Sequence, residues 1–219
     1  MKLDMHLHSN HSVDAISTPK TIMETAKKLG IVVAITDHNT VSAWPEFKKL
    51  SKEMEWPVIF GEEIKVIEKG KCVGEIVGLF MKKEIHPGPF GKIFDGLHAQ
   101  NALAMVVHPF DVFRNDFKHL NEAVNKIDLL EVFNSRTTLG SHNQKAKEFA
   151  QKHNLAQTAN SDSHSPKEIG MSYTEVKADN LKGARKELTE GNTKTVERKS
   201  PVTVHLTTQL AKMNLIKDQ

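Results

Sequence analysis

The residues best suited to chemistry come in short clusters. Asp4-Met5-His6-Leu7-His8 stands near the start, Thr36-Asp37-His38 follows, and Ser161-Asp162-Ser163-His164 comes in the last third of the chain. Each follows a segment that reads as a strand, where alternate residues point the same way. Two imidazoles, or an imidazole and a carboxylate, at i and i+2 can therefore converge on one point, as the ligands of a metal ion must. A single His-x-His pair could equally be two surface histidines. Clusters on several strand ends argue instead for one polynuclear site assembled by the fold. The twelve histidines are spread over these ends rather than contiguous, as a tag would be.

Other candidates fall at similar places. Asp14 lies in Ser12-Val13-Asp14, as a ligand or as a turn residue before the first helix. Asp37 and His38 end an apolar run, so either they satisfy each other or a cation satisfies them. In Gly61-Glu62-Glu63, alternation lets one glutamate face inward, and Glu63 is the expected one. His108, fixed by Pro109, is a ligand or a histidine hydrogen-bonded in the core.

The donors are nitrogen and carboxylate oxygen without thiolate. That favours manganese, iron or zinc over iron–sulfur or structural zinc, while calcium and magnesium prefer oxygen shells. There are more candidates than one tetrahedral ion can use, so two or three divalent ions sharing bridging carboxylates are expected. Such a centre supplies hydroxide at neutral pH and clamps the attacking and leaving oxygens of an in-line displacement. The chemistry implied is metal-assisted hydrolysis, most naturally of a phosphate ester.

The elements that must position these groups follow from the surrounding pattern. Residues 2–7 read as a strand. Thr18-Pro19 starts a helix with an apolar stripe at Ile22, Met23, Ala26 and Leu29, and Gly30 stops it. Residues 31–35 are a buried strand and 43–54 a helix. Residues 57–64 and 71–80 form antiparallel partners around Lys69-Gly70. Helices are expected at 90–100, 117–125 and 141–153, the last with Ala146, Phe149 and Ala150 inward, and strands at 103–107, 129–133 and 155–159. Such alternation predicts a barrel-like α/β fold with right-handed crossovers that bring strand ends to one rim. Residues 1–195 are expected to form one domain. Residues 196–219 read as a terminal extension packed on or beside it, with a short strand signal at Val202-Thr203-Val204.

Composition narrows the function classes. Lysine and arginine total 30 against 27 acidic residues, too small and dispersed an excess to imply a nucleic-acid or membrane surface. No apolar run approaches the roughly 20 residues of a membrane span. The one cysteine, Cys72, excludes an internal disulfide, and without a signal-peptide pattern the expected compartment is a reducing cytosol.

Together the ordered motifs resemble the PHP family, named for its polymerase and histidinol phosphatase members. They run from Asp4-Met5-His6-Leu7-His8-Ser9 with Ser12-Val13-Asp14, through Thr36-Asp37-His38-Asn39-Thr40 and Gly61-Glu62-Glu63, to His108-Pro109 and Ser161-Asp162-Ser163-His164. The resemblance covers roughly residues 2–175 and implies a distorted (β/α)7 TIM-like barrel with a trinuclear site on its C-terminal rim. It implies His6, His8, Asp14, His38, Glu63, His108, Asp162 and His164 as ligands. Where family members commonly carry a histidine, this chain has Glu75, which either ligates the same metal or is an ordinary strand residue.

For phosphate, Arg114 and Arg136 follow strand ends, and a guanidinium fork matches phosphate oxygens, although either could be solvated. Asn134 could position water or a substrate hydroxyl. The expected function is a phosphoesterase in which a metal-bridging hydroxide attacks a small phosphorylated metabolite or nucleotide. Arg136 would stabilise charge on the phosphate, and His38 or a metal-bound water would protonate the leaving oxygen. Alternatives are a histidinol phosphatase, a 5′-to-3′ exonuclease on short oligonucleotides, or a noncatalytic metal-stabilised binding module.

Overall fold

Local signals settle most helix and strand boundaries in the computed structural model, which describes residues 1–201, 203–213 and 215. Strand β1 (Lys2–Asp4) leads to α1 (Pro19–Leu29), where the Thr18 hydroxyl accepts from Thr21 N at 3.1 Å and Gly30 ends the helix at φ 65°. The next elements are β2 (Ile31–Ile35), α2 (Trp44–Met54), β3 (Val58–Glu68), β4 (Lys71–Leu79), α3 (Phe90–Ala99) and β5 (Leu103–Val106). The chain continues through α4 (Leu120–Ala123), β6 (Leu129–Asn134), α5 (Gly140–His153), β7 (Ala156–Asn160), β8 (Tyr173–Glu175), α6 (Leu181–Thr189), β9 (Lys194–Val196) and α7 (Val204–Lys212).

The strands form one nine-stranded sheet in the order β7-β6-β5-β4-β3-β2-β1-β8-β9. It curls into a nearly closed barrel. Its β1 and β7 ends meet where His8 N donates to Ser163 O at 2.9 Å and Asp162 N to His6 O at 2.8 Å. Pairing is parallel except for β3–β4, β4–β5, β1–β8 and β8–β9. The fold is thus an α/β barrel distorted by a hairpin that stands in for one crossover helix. Leu3, Met5, Ala34, Ile59, Val77 and Met105 pack together in one core cluster with Ala184 and Leu188 of α6, and α1 to α5 bury apolar faces in two others. At Gly61 an added Cβ would collide with the carbonyl of Gly78, so only glycine lets β3 and β4 approach closely there.

Several expectations need correction. Leu29 is 46% exposed in the last turn of α1, whereas Phe149, half-buried on α5, packs against the core as expected. The helix expected from residue 117 starts at Leu120, because Phe117 N donates to Pro109 O and Lys118 N to Val73 O, both at 2.9 Å, and so take no part in a helix; residues 118–119 form a turn. Of the strand signal at residues 202–204, Val202 lies outside the described residues. Thr203 is in a turn and Val204 opens α7. The β8, α6 and β9 segment has no counterpart in the sequence reading; for β8 and β9 the reason is that three-residue strands leave too little periodicity to recognise.

Candidate metal centre

Barrel geometry carries the clusters to one rim. His6 and His8 follow β1 with alternating side chains, His38 follows β2, and a parallel bridge places His38 beside Glu63 on β3. Glu63 is opposite Val77 on β4, and Glu75, two residues from Val77, shares its face. His108 follows β5, and Asp162 and His164 follow β7. Asp14 arrives from the loop before α1. Asp162 at φ 54° and His108 at φ 32° hold left-handed backbone, a conformation that other bonds must maintain: Asp162 N through His6 O, and His108 N through Glu131 Oε2 at 2.9 Å.

The candidates named from sequence as ligands are all in this cluster. Three overlapping triples, His8–His38–His164, His6–His8–Glu63 and His38–Glu63–Glu75, each bring ligand atoms within 4.8 Å of one another. Asp14 Oδ1 lies 3.4 Å from His38 Nε2 and 3.6 Å from His164 Nε2. Asp162 Oδ1 is 3.4 Å from His8 Nε2, and His108 Nε2 is 3.5 Å from Glu75 Oε2.

Do these residues fit divalent cations? Several donors are buried without a hydrogen-bond partner among the described residues: His6 Nε2, both nitrogens of His8, Asp14 Oδ1, His38 Nδ1, Glu63 Oε2 and His108 Nδ1. His38 Nδ1 is 2.7 Å from Glu63 Oε2, but the angles are not those of a hydrogen bond, so both atoms keep unused capacity. The electrostatics agree. Burial and the neighbouring His38 and His164 push His8 down to about 4, which leaves a neutral imidazole with a lone pair to give. Burial would lower His6 and His38 too, but carboxylates around them lift both well above the ordinary value: Asp162, Glu63 and Glu131 at His6, Glu63 and Asp14 at His38. Despite burial, Glu63 is held low by His38 and His6. Protons on imidazoles thus do the balancing that divalent ions would do, and the donor set fits such ions. Glu75 is raised by burial and by Glu63, against the opposing pull of His108, His38 and Arg114.

The buried carboxylates around the cluster have structural partners that sequence reasoning did not assign. Asp37 does not pair with His38. It accepts from Ser9 N, Ser9 Oγ and Ser12 Oγ, all at 2.7 Å, and Ser12 Oγ accepts from His38 N at 3.1 Å, so Asp37 shapes the loop. Asp4 accepts from Ser161 N and Oγ and from Gly170 N, and burial lifts it to about 6. Glu131 binds His6 Nδ1 at 3.0 Å, which leaves Nε2 for the cluster. An acid within the otherwise apolar Leu129–Phe133 run was the available signal.

Above the cluster is an open cavity of about 620 Å3. Arg114 and Arg136 both line it, from different situations. Arg114 keeps 27% of its side chain exposed, ion-paired to Asp162 and to Asp111 and donating to Asn134 Oδ1 at 3.1 Å. Arg136 is buried, 3.5 Å from Glu168 Oε1 and bonded to the hydroxyl of Thr208. Asn134 is beneath them rather than at the cavity surface, donating to Glu131 and Asp162. His11 also lines the cavity, with Nδ1 2.8 Å from Ser42 Oγ. Sequence reasoning passed over it because a lone loop histidine has no pattern.

A family model described as PHP-associated matches residues 140–193. The uncharacterised protein MJ1587 of Methanocaldococcus jannaschii is 37% identical over 149 residues, which cover 62% of this chain and 82% of that protein. A two-domain protein of Bacteroides vulgatus, containing a predicted PHP-like metal-dependent phosphoesterase, is similar in fold with TM-score 0.75 at 19% identity, covering 90% of this chain and 65% of that one. The lesion-specific endonuclease PfuEndoQ of Pyrococcus furiosus is similar in fold with TM-score 0.62 at 18% identity, covering 100% of this chain and 72% of that one.

Proposed function

This chain belongs to the PHP family, and from that premise we propose that it hydrolyses the phosphate ester of a small phosphorylated metabolite or nucleotide. The observation that carries the reading is the set of three triples linked pairwise through His8, His38 and Glu63 beneath a cavity lined by two arginines. His6, His8, Asp14, His38, Glu63, Glu75, His108, Asp162 and His164 would hold two or three manganese, iron or zinc ions. When bound, such ions lower the pKa of water and neutralise charge on phosphate oxygens. Arg136, oriented by Glu168, supplies fixed positive charge to the phosphoryl group, and Arg114 adds the exposed part of its guanidinium.

Of the two roles considered for His38, holding an ion is the one its surroundings support, since both its nitrogens face carboxylates. Proton delivery to the leaving oxygen is assigned to His11 Nε2, the ring nitrogen left free by the contact with Ser42. A His11→Asn variant should slow an alkyl phosphate, which needs that proton, far more than an aryl phosphate. Equal slowing would remove His11 from the role.

In this reading residues 1–195 form the phosphoesterase unit, and the described part of the remainder lies on its rim. No described helix is long and apolar enough to cross a membrane, and the compartment proposed is the reducing cytosol.

The basic test is hydrolysis of an aryl phosphate before and after chelation. Turnover should vanish with the chelator and return with manganese, and absence of metal-dependent turnover on any phosphate ester would defeat the reading. The likeness in fold to an endonuclease over the whole of this chain keeps a second reading in play, cleavage of a phosphodiester in a short oligonucleotide. Relative rates on an aryl monoester and the corresponding diester separate the two.

A further inference from the structure

The C-terminal helix takes part in the site. After β9 the chain crosses the rim, where Ser172 Oγ donates to Arg198 O at 2.9 Å, Lys199 Nζ to Thr138 O at 3.1 Å and Ser200 N to Ser135 O at 2.9 Å. These bonds set the start of α7 over the loop that carries Arg136. Thr208 and Lys212, at i and i+4, share one face of the helix. Thr208 meets Arg136, and Lys212 Nζ is 3.3 Å from Asp14 Oδ2. Thr208, Gln209 and Lys212 all line the cavity, and Ala211 on the same helix is buried.

We propose that Lys212 is a substrate-binding residue that contacts the non-bridging oxygens of the phosphoryl group; this rests on the phosphoesterase reading above. Its ammonium differs from the arginine groups in being free to move. Arg114 and Arg136 are tied into networks of several partners, whereas Lys212 is 56% exposed and, among the described residues, held in one ion pair. Only the ammonium end of that pair is exposed, so the long side chain can turn from Asp14 into the cavity. A cation on Asp14 would weaken the attraction of that carboxylate for Lys212 and leave an ammonium at the cavity mouth. A long, flexible, strongly hydrated point charge suits an anion that must bind and leave.

The test uses the full chain loaded with manganese, comparing wild type with Lys212→Met, which keeps most of the apolar stem, and Lys212→Arg, which restores charge. Calorimetry should show inorganic phosphate binding about tenfold more weakly to Lys212→Met, and KM for an aryl phosphate should rise by a similar factor, with the loss in KM rather than in kcat. Lys212→Arg should recover most of both, and manganese content should match across the three proteins. Unchanged phosphate affinity in Lys212→Met, or tighter manganese binding as the sole effect, would overturn the proposal and leave Lys212 as a neutraliser of Asp14. A fall in manganese content together with kcat would overturn it too, by making the role structural. If wild type hydrolyses no ester, the phosphoesterase reading fails on its own, while the phosphate titrations still decide Lys212. If the manganese-loaded wild type binds no phosphate, both fail.

Discussion

Glu63→Gln should lower phosphoester turnover by at least about a thousandfold and strip part of the bound metal, with the fold retained. Both carboxylate oxygens face imidazoles: Oε1 is 3.3 Å from His6 Nε2 and from His108 Nε2, while Oε2 is 2.7 Å from His38 Nδ1 and 3.5 Å from His8 Nε2. Among the described carboxylates of the set, none other lies within 4 Å of four of its imidazoles. An amide of the same size keeps the volume but removes the negative charge and replaces one acceptor with a donor. Ions that share Glu63 would then lose their common ligand, and the imidazoles around it would lose their counter-charge. Elemental analysis after dialysis, turnover of an aryl phosphate and circular dichroism together check the result. Full metal content with near-normal turnover would remove Glu63 from the centre.

The second large effect lies behind the cluster. Glu131 accepts four hydrogen bonds, from His6 Nδ1 and Asn160 Nδ2 at 3.0 Å and from His108 N and Asn134 Nδ2 at 2.9 Å. The group is fully buried, so each donor depends on it. Glutamine cannot replace it: one end of the amide would point two donors at two donors. Glu131→Gln should therefore cost about 3 kcal/mol or more in urea unfolding with chelator present, and weaken manganese binding about 10–100-fold because His6 loses its orientation. Burial opposes ionisation of Glu131, but His6 holds the carboxyl below its ordinary value. The stabilisation is thus present above the unfolded-state pKa and lost as pH falls through the folded one, so the gap between wild type and variant should narrow in acid. A loss under about 1 kcal/mol at neutral pH would show that the network relaxes around the amide.

Fold class and candidate ligands were both open to reading along the chain, for the same reason. Alternation along a strand is local, so His6 with His8 and Asp162 with His164 declare a shared direction in three residues each. The same rule lets only one of Glu62 and Glu63 face inward, and spacing from Gly61 picked Glu63; Glu62 turns away and accepts from Ile85 N at 2.9 Å. Longer elements marked by caps and glycine, such as α1, were equally plain. Short elements were not, and β8 and β9 went unseen because three residues are too few for a period to show. The Asp37–His38 pair misled for a different reason. Adjacency in sequence implied that the two satisfy each other or share a cation, but the serines of the preceding loop reach Asp37 first.

By itself the sequence determined which atoms could bind metal and that they belong at strand ends, because residue type and two-residue periodicity are properties of short segments. Tertiary structure decided which of those atoms meet. Closure between β1 and β7 sets residues 6–8 beside 162–164, the β3–β4 hairpin carries Glu75 over Glu63, Glu131 backs His6 from another strand, and α7 brings Lys212 to Asp14. Each of these meetings joins segments far apart in the chain. Their distances come from sheet register and barrel curvature, which no local pattern encodes.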